Sequence, residues 1–369
     1  MNLFNTNKSI EDTKVVVAMS GGVDSSAVAA LLVKQGYQVI GITLQLYDLG
    51  VTLEKKGACC AGQDIYDAKM VADKLGIPHY VLNYESLFKQ SVIEDFADSY
   101  LRGETPIPCV KCNQSVKFRD LFKMAKDLGA DALATGHYVQ KINGVNGAEL
   151  HRAIDPNKDQ SYFLFATTKE QLEYIYFPLG ANTKEQTRQL ATSFGLQVAD
   201  KPDSQDICFV PNGSYANVIE KLRPGALDKG KIMHIDGEIL GEHNGIINFT
   251  LGQRRGIGIS SSEPLYVIKI DAEQNLVIVG PESALNNKSF IIRDVNWLVP
   301  QPQINHEFKL EVKLRSSQQP IGATLINNHS NMAQIILDLP QKAITPGQAC
   351  VFYNGNHVLG GGWITKDIQ

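Results

Sequence analysis

Five residues, Lys14 to Ala18 (KVVVA), run directly into Met19-Ser20-Gly21-Gly22-Val23-Asp24-Ser25-Ser26 and then into AVAALLVKQG. Three adjacent valines favour a strand buried on both faces. The run rich in alanine and leucine favours a helix that stops at Gly36. A strand entering a helix through a glycine turn is half of a βαβ unit, so the chain must begin as an α/β fold with a parallel sheet. The turn has a chemical consequence as well. Free N–H groups at a helix N-terminus form an anion site. Gly21 and Gly22 let the backbone approach a phosphate without a Cβ in the way, and Ser20, Ser25 and Ser26 add hydroxyl donors. Asp24 suits such a site only if it holds Mg²⁺ that bridges phosphates. The sequence has no Gly-x-x-x-x-Gly-Lys-Ser/Thr, so this is not the usual P-loop.

The α/β alternation continues. YQVIGITLQLY (37–47) and IPHYVLNY (77–84) read as strands. Between them Ile65, Ala68, Ala72 and Leu75 share one helical face, so residues 64–76 form an amphipathic helix. Helices are expected near 86–101 and 115–128, followed by a strand in DALATGHYV (131–139). After about residue 211 the pattern changes to short strand-like runs between Gly, Asn and Pro, among them KIMHI, LYVIKI, FKLEVKLR and ACVFY. That predicts two small all-β domains meeting near residue 285. The expected division is 1–211, 212–285 and 286–369, with a doubly wound parallel sheet in the first part.

Hydrophobic content of 43% and charged content of 20% fit a soluble globular chain. No stretch approaches the roughly 18 apolar residues of a membrane span. The polar N-terminus lacks a signal-peptide core, so a cytoplasmic location without membrane attachment is expected, and stable disulfides are disfavoured there. A net charge of −4 argues against a nucleic-acid coat protein but permits local basic surfaces. Lys117, Arg119, Lys123 and Lys126 make one such cluster, and Arg254 and Arg255 another.

Six cysteines remain to be explained. Cys109 and Cys112 form a Cys-x-x-Cys, which could hold a metal, carry redox chemistry or crosslink. Cys208 follows 96 positions after Cys112 (208 − 112). Cys59, Cys60 and Cys350 read as structural.

Ser-Gly-Gly-x-Asp-Ser after a first strand resembles the PP-loop of ATP pyrophosphatases. Four further stretches narrow the resemblance: Cys112-Asn113 with the following KF, ATGHY (134–138), KDQSYFL (158–164) and DSQDICF (203–209). In that order they resemble the family of tRNA-specific 2-thiouridylases, as do TLGQRRGIGI and TPGQACVFY in the β region. The likeness spans essentially the whole chain. It implies an enzyme that uses ATP to adenylate the C2 oxygen of uridine 34 in tRNAs for Lys, Glu and Gln, then replaces that oxygen with sulfur. The chemistry agrees. A carbonyl oxygen leaves poorly until it is adenylated, and a sulfur nucleophile can then displace AMP.

The resemblance implies that Cys208 carries a persulfide and that Cys112 releases its sulfur, leaving a Cys112–Cys208 disulfide for a reductant to reset. It places ATP on Ala18, Met19, Ser20, Gly21, Gly22, Val23, Asp24 and Ser25, with Leu44 and Gly136. It places tRNA on Pro108, Cys109, His137, Lys158, Asp159, Gln160 and Gln348. It implies a cysteine desulfurase, with or without relay proteins, as sulfur source. Many members carry Asp where this chain has Cys109. Three readings of Cys109 stay open: a replacement with little chemistry, a redox partner of Cys112, or one ligand of a [4Fe-4S] cluster shared with Cys112 and Cys208. Two other classes compete with thiolation. A small-molecule amide-forming ligase would need no paired thiols, and a non-catalytic RNA-binding protein would need no phosphate loop.

Overall fold

The computed structural model describes residues 8–47, 60–203, 207–210, 215–328 and 331–368. Cys59, the middle of DSQDICF at 204–206 and the expected boundary at 211–212 lie outside the described residues. The chain divides into two compact units: residues 1–92, 109–205 and 356–358, and residues 93–108, 206–355 and 359–369.

In the first unit, β1 (Lys14–Ala18) pairs in parallel with β2 (Gln38–Gln45), and β2 with β3 (His79–Asn83). On the other side of β1 lies β4 (Ala132–Ala134), followed by the two-residue β7 (Ile175–Tyr176), both parallel. The order is β3-β2-β1-β4-β7. The chain moves outward from β1 to β3 and then returns to the opposite side of β1. That reversal opens a crevice at the carboxyl ends of β1 and β4.

Both faces of the sheet are covered. Val15 and Val17 are fully buried with Ala27 and Val28 of α1 (Val23–Lys34), Ala68 and Val71 of α2 (Cys60–Leu75) and Leu196. Val16, equally buried, points the other way, where α3 (Phe118–Asp127) packs on β1 and β4. Each such valine stabilises the fold by about 1.5–3 kcal/mol through burial. This is the doubly wound sheet that the valine run predicts.

The expected strand over 131–139 is shorter than predicted, ending at Ala134. The chain leaves the sheet so that Gly136 can pass against the start of α1. It then forms an antiparallel hairpin, β5 (Val139–Gly144) with β6 (Gly147–Arg152), within the same unit. Residues 357–358 pair with β6. Neither the hairpin nor β7 was expected, because the former breaks the α/β alternation and the latter is too short for a periodic signal.

The second unit is mostly β. Strands β8 (Lys229–His234), β9 (Ile239–Asn244), β10 (Tyr266–Asp271) and β11 (Leu276–Gly280) form a sheet of order β10-β11-β8-β9. Its β8–β11 pairing is parallel, a feature that short strand runs do not reveal. Strands β12 (Asn286–Trp297), β13 (Glu307–Lys313), β14 (Ile321–Asn327), β15 (Ala333–Lys342), β16 (Ala349–Asn354) and β17 (His357–Ile368) follow the order β12-β15-β14-β13-β16-β17. Pairing of β12 with β17 closes this set into a barrel, with no free edge. Phe290, Val312, Leu325, Ile335, Phe352 and Ile364 fill it.

Candidate active site

The glycine loop sits in the crevice between β1 and β4. Gly21 has φ +72°, and a Cβ there would collide with the backbone of Asp64, so only glycine fits. Met19 donates its N–H to Ile42 O at 2.8 Å, and Thr43 Oγ1 donates to Met19 O at 2.8 Å. Ser26 Oγ donates to Gly22 O at 2.8 Å, and Ser25 Oγ accepts from Ser20 N at 3.1 Å. These bonds shape the loop at the first turn of α1, where the N–H groups of a helix start can receive an anion.

Gly136 completes the crevice from the β4 side. A Cβ on it would stand 2.8 Å from Ser25 N and 3.0 Å from the Asp24 carbonyl carbon. Leu44 lies near the carboxyl end of β2, paired with Leu82 of β3. Ala18 to Ser25 and Gly136 thus meet at one place, with Leu44 on the neighbouring strand.

Asp24 is the centre of a charge network that sequence reasoning missed. Lys184 Nζ donates to both its carboxylate oxygens, at 2.7 and 2.8 Å, and the Tyr138 hydroxyl donates at 2.8 Å. The same ammonium reaches Asp203 at 2.7 Å, where Lys158 Nζ also donates at 2.7 Å. Arg188 lies 3.4 Å from Asp203. Partial burial would raise the Asp203 carboxyl, but the hydrogen bonds from Lys158 and Lys184 outweigh it and hold the group below the usual carboxylate range. Lys184 is the first residue of α4 (Lys184–Ser193), whose capping box joins Thr183 and Gln186. That Thr-x-x-Gln pattern signals a helix start in the sequence, but not where the first side chain aims.

A second lysine supports the loop from below. Lys201 Nζ donates to Gly21 O at 3.0 Å, to Asp64 Oδ1 at 2.7 Å and to Asp67. Burial lowers its pKa, but the two aspartates outweigh that and leave it raised, so the cation is secure.

Asp24 as a Mg²⁺ ligand must be weighed against this network. Its carboxylate is the right donor for a hard cation, and it lies beside the phosphate loop. Both oxygens are already engaged by Lys184, so metal binding requires the ammonium to move off at least one of them. The residues fit the ion on that condition.

Cys109 and Cys112 lie in the short helical segment Pro108–Cys112, three residues apart and therefore on adjoining faces of one turn. Cys112 is buried, and loss of hydration raises its thiol pKa, with Lys117 pulling the other way. Cys109 is exposed at its rim, yet the protein around it also raises its pKa, again opposed by Lys117. Neither thiol is pre-ionised. Cys208 is an exposed thiol in the second unit, and Cys350 is buried in its barrel. A three-cysteine cluster would need all three as thiolates.

His137 packs edge-on to Phe118 and has Nδ1 2.8 Å from Thr135 Oγ1. Burial, then Lys117, push its pKa down to about 3, so it is a neutral imidazole. Asp159 is turned inward. Its carboxylate is 3% exposed and accepts from Arg152 Nε, Ala153 N, Ser161 N and Ser161 Oγ. Gln160 Oε1 accepts from Tyr138 N at 2.9 Å, which positions the tyrosine that reaches Asp24. The segment 158–160 is therefore linked to the phosphate loop through Tyr138 and through Asp203 with Lys184. The Lys158 side chain is 36% exposed and is paired with Asp203.

In the second unit, Gln348 lines a cavity of about 530 Å³ with Thr105, Gln253, Tyr266, Arg315 and Lys342. Its Nε2 donates to Thr105 O at 2.8 Å. TLGQRRGIGI and TPGQACVFY both contribute to this wall, a convergence invisible along the chain. Pro108 is buried at the end of the 93–108 segment.

Among the described residues no helix is long and apolar enough to cross a membrane. The chain matches the family model described as tRNA methyl transferase HUP domain over residues 13–212. The corresponding PRC-barrel domain matches residues 217–281, and an aminomethyltransferase beta-barrel domain matches residues 287–364. The chain is 67% identical over 354 residues to tRNA-specific 2-thiouridylase MnmA of Rickettsia canadensis (strain McKiel), covering 96% of each chain. Over 359 residues it is 65% identical to the protein of that name in Rickettsia africae (strain ESF-5), covering 97% of this chain and 98% of the relative. A solved 4-thiouridine synthetase–RNA complex with bound ATP aligns at 18% identity and TM-score 0.37, over 58% of this chain and 51% of that one.

Proposed function

Because the chain belongs to the family of tRNA-specific 2-thiouridylases, we propose that it is the enzyme that replaces the C2 oxygen of uridine 34 in tRNA with sulfur, using ATP. The observation that carries this reading is the glycine loop seated at the reversal point of a parallel sheet, closed by Gly136. The family model's description names a methyl transferase. A phosphate loop has no part in moving a ready-made methyl group, so the geometry favours an adenylating enzyme.

ATP would lie with its phosphates on Ser20 to Ser25, and Mg²⁺ would be held by Asp24 through those phosphates. The C2 oxygen attacks the α-phosphorus and pyrophosphate leaves. The terminal sulfur of a Cys208 persulfide attacks C2 and AMP leaves. The Cys112 thiolate then attacks Sγ of Cys208, breaking the S–S bond and leaving sulfur on the base. A Cys112–Cys208 disulfide remains, and a dithiol reductant restores both thiols. Lys184, held between Asp24 and Asp203, supplies positive charge beside the phosphates.

Lys158, Gln160, His137 and the wall around Gln348 are the proposed tRNA contacts. Neutral His137 would serve by hydrogen bonding and stacking rather than as a cation. Asp159 would act by shaping the 158–160 turn. Substrates are the tRNAs for Lys, Glu and Gln, and a cysteine desulfurase supplies the sulfur. The enzyme is cytoplasmic, with the loop-bearing domain at 1–211 and β domains at 212–285 and 286–369. A [4Fe-4S] cluster on Cys109, Cys112 and Cys208 is the competing sulfur carrier. Purified protein with ATP, Mg²⁺, unmodified tRNA and a persulfide donor should form AMP and 2-thiouridine in step. AMP formation that ignores tRNA, or none at all, overturns the reading.

A further inference from the structure

One cluster of metal-binding side chains lies outside the chemistry above. Glu149 and His151 alternate on β6 and so project from one face. His357 is directly opposite His151 in the antiparallel pairing, on the same face. Glu149 Oε2 is 2.9 Å from His151 Nε2 and 3.9 Å from His357 Nδ1. The two imidazoles are stacked, with centroids 4.7 Å apart and planes 3° from parallel. All three side chains are largely shielded from solvent, with 17–32% exposure.

His357 has an unmet requirement. At 3.9 Å its Nδ1 is too far from the carboxylate for a hydrogen bond. Nδ1 is the nitrogen turned to Glu149 and the one that an ion shared by the three residues would take, while the buried Nε2 keeps no partner among the described residues. One ligand atom from each of the three residues already lies within 4.8 Å of the others. Ligand atoms about 2.0–2.2 Å from a tetrahedral zinc stand about 3.3–3.5 Å apart. The two imidazole planes are parallel, so the rings must tilt out of their stack for their in-plane lone pairs to converge on one ion.

We propose that Glu149, His151 and His357 bind a divalent transition-metal ion, Zn²⁺ first, as a structural clip. Two imidazoles and a carboxylate suit a borderline cation, not Mg²⁺ or Ca²⁺, which prefer all-oxygen sets. A fourth position stays open to water. The ion joins residues 206 positions apart (357 − 151), so it fastens the 356–358 segment to the hairpin. Cross-links closing long loops remove the most chain entropy from the unfolded state.

The cysteines could also take zinc, so the probe must tell nitrogen and oxygen from sulfur. The full chain is stripped with chelator and titrated with Co²⁺ alone, then with competing Zn²⁺. Wild type should take up one equivalent with visible d–d absorption that is still present when Cys109, Cys112 and Cys208 are replaced by serine. Both His357→Gln and Glu149→Gln should lose that equivalent. Zn²⁺ should raise the melting temperature of wild type and leave the His357→Gln protein unmoved. Glu149→Gln, at the more exposed ligand, keeps the test decisive if His357→Gln fails to fold. Equal uptake by wild type and Glu149→Gln overturns the proposal, as does a cobalt spectrum that is wholly thiolate charge transfer. So does weak uptake that never saturates, the sign of adventitious surface binding.

Discussion

Replacing Lys184 with methionine tests the charge network at the phosphate loop. The substitution keeps most of the stem and removes one ammonium. The Lys184 side chain is 12% exposed, and its ammonium donates to Asp24 at 2.7 and 2.8 Å and to Asp203 at 2.7 Å. Hydrogen bonds to charged groups are each worth about 1.5–3 kcal/mol. Both carboxylates are partly solvated and keep other donors, Tyr138 for Asp24 and Lys158 for Asp203. The net loss of stability should therefore be about 1–3 kcal/mol. For a unit of this size that lowers the melting temperature by about 2–10 °C. The catalytic loss should be larger. A fixed charge aimed at a developing phosphate charge is worth about 10²–10³ in kcat. The assay is tRNA-dependent ATP–pyrophosphate exchange well below the melting range, with kcat and KM separated. Lys184→Arg, which keeps the charge, should recover part of the rate. Asp24→Asn should lose exchange while tRNA binding holds. The pH dependence has a definite sign. Asp203 has a depressed pKa in the folded state, so its ion pairs stabilise the protein above its unfolded pKa. That contribution disappears as pH falls through the folded value, and in Lys184→Met the acid-side loss should shrink. Exchange within about threefold of wild type, despite a lowered melting temperature, would show that Lys184 is only structural.

Gly136→Ala places a methyl group 2.8 Å from Ser25 N. It should cost about 1–3 kcal/mol by overpacking and raise the KM for ATP, and an unchanged KM would remove Gly136 from the ATP site. Cys208→Ser should abolish persulfide loading, while Cys112→Ser should load Cys208 and fail to release; persulfide on Cys112 in the first variant would reverse the roles in mass spectrometry. Because burial raises the Cys112 thiol, single-turnover sulfur release should climb close to tenfold per pH unit from about 7 to 8; a flat profile would mean that thiolate formation does not limit release. Cys109→Asp should retain thiolation if Cys109 merely stands in for a carboxylate. Loss of iron, labile sulfide and activity together in anaerobically purified Cys109→Asp would instead assign it to a cluster.

The sequence by itself determined the elements whose signals are local. Three valines before a double glycine compel a buried strand, a tight turn and a helix start, and Gly21 at φ +72° is the residue such a turn demands. The change to short alternating runs after residue 211 announced the β region for the same reason, since alternation is a property of neighbouring residues. Motif order singled out Cys112, Cys208 and the 158–160 segment as candidates. What joins distant residues was decided only in three dimensions. Lys184 lies 160 positions from Asp24, Tyr138 is positioned through Gln160, and two separate motifs meet only at the Gln348 cavity wall. The end of β4 at Ala134 was also a tertiary decision, because Gly136 must pass against Ser25 there. Whether Asp159 faces inward and whether His137 is charged depend on burial and on the charges nearby. Those quantities are set by chain segments that approach through space, so no window of sequence contains them.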